Sequence, residues 1–153
     1  TAGGTITLAG ARVASSITFE ENEVYTLSGG TSLTIGGTGA SDGIFLLAAE
    51  DQAVGISTAL ILNGNNTIQT AGAGVLTISG GVTGTGNLIL NNNSTNAAGI
   101  TISTVSLNNT GTVTNSVPAR KISCAPGGAR LTATNRAVRA ARIGRIVRLS
   151  AVS

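Results

Sequence analysis

The stretch VLTISGGVTGTGNLILNN, residues 75–92, sets two short apolar bursts on either side of a glycine-rich turn and carries no charge. Leu76 and Ile78 flank Thr77, and Leu88 and Leu90 form a second pair two residues apart. A period of two puts both anchors of a pair on one side of an extended chain, the mark of a strand with one face buried. The same two-anchor pattern recurs as ITL (6–8), ITF (17–19), YTL (25–27), LTI (33–35), LIL (60–62) and ITI (100–102). The segments between them, SGG (28–30), GGTGASDG (36–43), NGNN (63–66) and GGVTGTG (80–86), have the composition of turns. Gly and Asn reach positive φ there at low cost.

Two internal similarities accompany the pattern. LILNGNNT (60–67) returns as LILNNNST (88–95), roughly 28 residues further on, inside the range of about 20–50 residues typical of repeat architectures. YTLSGGTSLTIGG (25–37) is echoed more loosely by LTISGGVTGTGNLIL (76–90). Short strands, loose turns and a degenerate repeat together predict an all-β fold, a parallel β-helix of about four turns over residues 1–117. Each strand would pair with its equivalent one turn above and below, and the inward Ile, Leu and Val side chains would stack in columns. Full burial of each such side chain contributes roughly 1.5–3 kcal/mol. Asn63, Asn91 and Asn92 are expected to stack as amide ladders, as Asn does in other in-register strand stacks. A β-sandwich is the alternative architecture, since it too shows short strands at intervals of about 8–12 residues.

Composition narrows the class. The 153 residues are 41% hydrophobic but only 2% aromatic and 10% charged, with no His, Met or Trp. Disordered chains are rich in charge or proline and poor in β-branched residues; this chain has 2 Pro and abundant Ile, Val and Thr. A slender core of aliphatic side chains accounts for that makeup. Charge falls into three zones. All the acids (Glu20, Glu21, Glu23, Asp42, Glu50 and Asp51) precede Gln52, no charge occurs from Gln52 to Ala119, and every base except Arg12 lies between Arg120 and Arg148. The longest apolar run, IFLLAA (44–49), is too short for a membrane helix, which needs about 20 residues. The strands are likewise short of the roughly 9–11 residues of a membrane-barrel strand. Beginning at Thr1, the chain reads as a processed or excised segment.

The segments VASSITFEENEVYTLSGGTSLTIGG (13–37) and VLTISGGVTGTGNLIL (75–90) resemble the autotransporter-associated β-strand repeat. The resemblance covers roughly residues 1–117. It implies a right-handed β-helix of the passenger type, found in large secreted proteins of the bacterial surface. Members of that family commonly continue into a membrane-embedded β-barrel, which these residues do not include.

Residues 118–153 depart from the pattern. They lose the Gly/Thr/Asn signature and gain Arg136, Arg139, Arg142, Arg145 and Arg148, with a lone cysteine at Cys124. Arginine at every third position drifts around a helix of 3.6 residues per turn, so it marks no single helical face. Three readings stand for this segment: a cap on the solenoid, a tail making nonspecific contacts with polyanions through those five arginines, or a stretch created by a frame or assignment error.

Catalytic chemistry finds few candidates. Without His, neither a Ser-His-Asp nor a Cys-His arrangement can be built, and a single Cys excludes an internal disulfide and any multi-cysteine zinc site. Cys124 therefore reads as an inert thiol. GGTGASDG (36–43) approaches the calcium-binding repeat G-G-x-G-x-D-x-U-x but places Asp42 one residue late and occurs once. No phosphate-binding loop or dinucleotide fingerprint is present, so no cofactor is expected. The carboxylates read as solvated turn charges, and Asn65, Asn92, Asn93 and Asn108 head Asn-x-Ser/Thr triplets that arise readily in Asn/Thr-rich turns. A basic tail without interleaved aromatics lacks the stacking platform of specific nucleic-acid binders. The expectation is a non-enzymatic structural or adhesive module of the bacterial cell exterior. Head-to-tail self-association, flanking repeats or surface polysaccharide would be its partners. A carbohydrate-active β-helix enzyme or a carbohydrate-binding module is the alternative.

Overall fold

The computed structural model describes residues 3–36, 42–47, 49, 51–96, 98–103, 107–116 and 122–124. All regular structure among them is β, in fifteen strands of three to six residues. The chain winds as a three-sided coil. The first turn consists of β1 (Thr5–Leu8), β2 (Ala11–Ala14) and β3 (Ser16–Phe19); the second of β4 (Tyr25–Gly29), β5 (Ser32–Ile35) and β6 (Gly43–Leu46). The third contains β7 (Ala53–Ile56), β8 (Leu60–Leu62) and β9 (Asn65–Thr70), and the fourth β10 (Val75–Ile78), β11 (Val82–Gly84) and β12 (Asn87–Asn92). A fifth turn supplies β13 (Ile100–Ile102) and β14 (Val113–Asn115), and β15 (Ile122–Cys124) opens a sixth.

Three parallel sheets result. Face one is ordered β1-β4-β7-β10-β13-β15, face two β2-β5-β8-β11, and face three β3-β6-β9-β12-β14. A parallel bridge between Val82 and Leu107 carries face two into the fifth turn. Every pairing is parallel and links a strand to its equivalent one turn away, so the architecture is a β-solenoid and the sandwich alternative is excluded. Pairing on face one continues past residue 117, because β15 lies in register on β13 with Ile100 opposite Ile122.

Alternation along each strand creates the core columns. On face one, Leu27, Ile56, Ile78 and Ile102 stand in one inward file. Beside it run Tyr25, Val54, Leu76 and Ile100. Face two contributes Leu33, Leu60, Val82 and Leu107, and face three Ile17, Ile44, Ile68 and Leu90. Nearly all of these side chains are buried, and the columns meet along the axis in one continuous apolar core. Because the strands supply two or three inward residues each, aliphatic side chains fill the interior. Only Phe19 and Tyr25 add rings, with centroids 5.8 Å apart.

Corners require special backbone. Between faces one and two the chain turns at Gly30, with φ of 65°, where an added Cβ would lie 2.5 Å from the Gly10 carbonyl oxygen. Gly36, at φ 114°, turns from face two to face three under the Asn63 carbonyl. Neither position tolerates a side chain, since the left-handed region and the close approach both demand glycine.

The repeat has a different period from the one most visible in the sequence. In the best-matched turns the equivalent residues are 22 apart, as in Asn65 and Asn87. LIL at 60–62 lies on face two and LIL at 88–90 on face three. Their likeness therefore reflects shared strand chemistry and not equivalent positions. The looser echo is the structural one: Tyr25 pairs with Val54 and Val54 with Leu76, which places YTLSGG and LTISGG on the same face and corner two turns apart.

Candidate functional surfaces

Three outer faces, three corners and the open end at the first turn are the surfaces from which function must be built. Arg136, Arg139, Arg142, Arg145 and Arg148 lie outside the described residues, as does Glu50. Of the remaining acids, Glu20, Glu21 and Glu23 sit on the corner between faces three and one in the first turn, and Asp51 sits on the same corner one turn later. Glu23 Oε2 accepts from Gly3 N at 2.9 Å. Asp51 Oδ1 accepts from Ala73 N at 2.7 Å, while Asp51 N donates to Asn22 Oδ1 at 3.2 Å. These acids tie successive corners together. Asp42 is buried at the corner between faces two and three, and its main-chain carbonyl accepts from Thr67 N. Among the described residues, no three His, Cys, Asp or Glu side chains come close enough to hold a metal ion.

The corner between faces three and one changes character along the axis. Phe19 and Leu46 fill it in the first two turns, whereas Thr70 and Asn92 occupy the matching positions in the third and fourth. Thr70 Oγ1 donates to Asn92 Oδ1 at 3.0 Å, and the same oxygen accepts from Ser94 N at 3.1 Å. All three residues are buried. Hydroxyl and amide groups are satisfied by one another here, which is the condition for keeping them inside.

Amide ladders run up the outside. Asn87 Nδ2 donates to Asn65 Oδ1 at 2.7 Å, and Asn87 Oδ1 accepts from Thr112 N and Oγ1 at 2.8 and 2.9 Å. Asn91 Nδ2 donates to Gln69 Oε1 at 2.8 Å. Of the residues expected in ladders, Asn91 joins one and Asn92 turns inward to Thr70, whereas the contact described for Asn63 is local, its main-chain carbonyl accepting from Asn66 Nδ2 three residues on.

Face one differs from the other two. Its outward positions form two files in register across five turns. One file is Thr5, Thr26, Gly55, Thr77 and Thr101, the other Thr7, Ser28, Ser57, Ser79 and Ser103. Every member except Gly55 carries a hydroxyl, and no strand of this face contains a charged or, apart from inward Tyr25, an aromatic residue. Outward residues on face two are instead mixed, with Val13, Thr34, Ile61 and Thr83 in one file. On face three, Thr18, Phe45, Gln69 and Asn91 share a file. The Thr-x-Thr and Thr-x-Ser triplets are visible in the sequence, but their spacing is uneven, and only the strand register shows that they line up.

The open end is formed by β1, β2 and β3, each the last strand of its sheet. Ile6 continues the column of Leu27, Ile56 and Ile78 yet is 47% exposed. Arg12 stands at the head of the Leu33 column, a charge at an edge strand where natural sheets often place one to discourage indiscriminate pairing. Among the described residues no helix is long and apolar enough to cross a membrane. Comparison with protein-family models, curated proteins and solved structures finds no match for this chain.

Proposed function

We propose that the chain is a non-enzymatic structural or adhesive module of the bacterial cell exterior, related in kind to passenger-type β-helices and extended by stacking of further coils. The open end carries the reading. Among the described residues β1, β2 and β3 have no strand paired on their outer side, and Ile6, 47% exposed, and the half-buried Ile17 stand at the head of two core columns. A coil added there would continue hydrogen bonding and burial together, as successive units do in solenoids. Arg12 selects what is added, because a coil that places a carboxylate over the Leu33 column is favoured over one that does not. The acidic first third and basic last third of the sequence support head-to-tail contact between copies, a heterologous interface that propagates when it does not close into a ring.

The described carboxylates support scaffold work over catalysis. Glu23 and Asp51 are engaged by backbone N–H groups across turns of the coil. Size-exclusion chromatography and electron microscopy at low and high salt test the proposal. Filaments or concentration-dependent oligomers that shorten as salt rises are expected. A monodisperse monomer at every concentration and salt would refute self-stacking and leave flanking repeats as the remaining source of added coils.

A further inference from the structure

We propose that face one is an ice-binding surface. Two files of hydroxyl side chains stand in register on this face, with Thr26, Thr77 and Thr101 in one and Ser28, Ser79 and Ser103 in the other. Parallel pairing repeats each hydroxyl about every 4.7–4.9 Å along the stack, and residues two apart on a strand lie about 6.6 Å apart. The result is a two-dimensional array of O–H groups, interrupted at Gly55, whose repeat along the stack is close to one oxygen repeat of a prism face of ice. Each hydroxyl has one donor and two acceptor sites. Ser57, exposed on this face, reaches the Leu27 carbonyl with its Oγ at 3.4 Å, long for O–H···O, so ordered water competes well for that hydroxyl.

Chemistry distinguishes ice from other occupants. A charge would hold a disordered hydration shell, and the strands of face one contain none. A sugar polymer is ordinarily gripped by aromatic rings with one apolar side and one wet edge, and the outward files of this face have no ring. Thr methyl groups between the hydroxyls, with Val24 and Val75 in the file alongside, supply the apolar ground on which water orders instead of dispersing. Faces two and three break the lattice with Ile61 and Phe45.

One position makes the proposal sharply testable. Gly55 is the single gap in the Thr file, and a Cβ there would meet nothing nearer than Thr26 Oγ1 at 3.8 Å. Gly55→Thr therefore completes the lattice without crowding. The experiment measures ice-recrystallisation inhibition and partition of the full chain into slowly growing ice, with fold checked by circular dichroism. The wild-type chain is expected to partition into ice, Gly55→Thr to inhibit recrystallisation at lower concentration, and Thr77→Lys to fall to the level of buffer. The control Thr34→Lys on face two should match wild type. The proposal is overturned if the folded wild-type chain is rejected by ice, if Thr77→Lys and Thr34→Lys behave alike, or if the chain sediments with crystalline cellulose or chitin while ignoring ice. Salt-dependent oligomerisation is a separate readout, so stacking and ice binding fail independently.

Discussion

Ile6 and Ile78 occupy the same column of the same face, one in the first turn and one in the fourth, and their exposures are 47% and 0%. Among the described residues the first turn has a neighbour on one side only; the third and fourth are enclosed on both. Identical sequence chemistry thus yields an edge in one place and a core in the other. In a solenoid, burial belongs to the stack and not to the strand, so stability is built from interfaces between neighbouring turns.

Truncating these two residues of that column separates the regions most strongly. Ile78→Ala is expected to cost about 2–5 kcal/mol, the range for emptying an enclosed aliphatic site, whereas Ile6→Ala should cost about 1 kcal/mol or less, as at sites open to solvent. Urea unfolding followed by circular dichroism reads both, and equal losses would mean that the first turn is enclosed in solution. Gly36→Ala should cost about 2–3 kcal/mol, because the left-handed backbone and the contact with the Asn63 carbonyl leave no room for Cβ. A thermal midpoint unchanged from wild type would show that the second corner can relax.

Smaller effects sharpen the contrast within the enclosed turns. Asn92→Ala removes the acceptor shared by Thr70 and Ser94 and is expected to cost about 1–2 kcal/mol, since both donors remain buried. Thr70→Val in the same background should recover part of that loss, and a double-mutant cycle without coupling would break the assignment. Asn87→Ala cuts an exposed ladder spanning three turns, with an expected cost of about 0.5–1 kcal/mol. Hydrogen exchange should then rise locally at Thr112, whose amide Asn87 accepts.

Much of this architecture was legible before any coordinates. The pairs at 6–8, 17–19, 25–27, 33–35, 60–62, 76–78, 88–90 and 100–102 are all strands, because their period of two and β-branched content are local properties. Two further strands lack that signature. β11 is Val82-Thr83-Gly84, inside a run rich enough in glycine to read as a turn, and β9 begins within NGNN. Each is held extended by a neighbouring turn, as Thr67 N donates to the Asp42 carbonyl and Leu60 N to that of Gly81. Position in the stack overrides local preference there.

The sequence alone determined a charge-poor, aliphatic, β-rich chain whose inward residues come in short pairs, because alternation and composition act within a few residues. Tertiary structure decided the period of the repeat, the partner of each strand and the gathering of Thr and Ser into two files on one face. Those outcomes depend on which residues lie one turn apart. Insertions at the corners make that spacing vary, so only three-dimensional register, enforced by hydrogen bonding and burial across turns, brings the equivalent positions together.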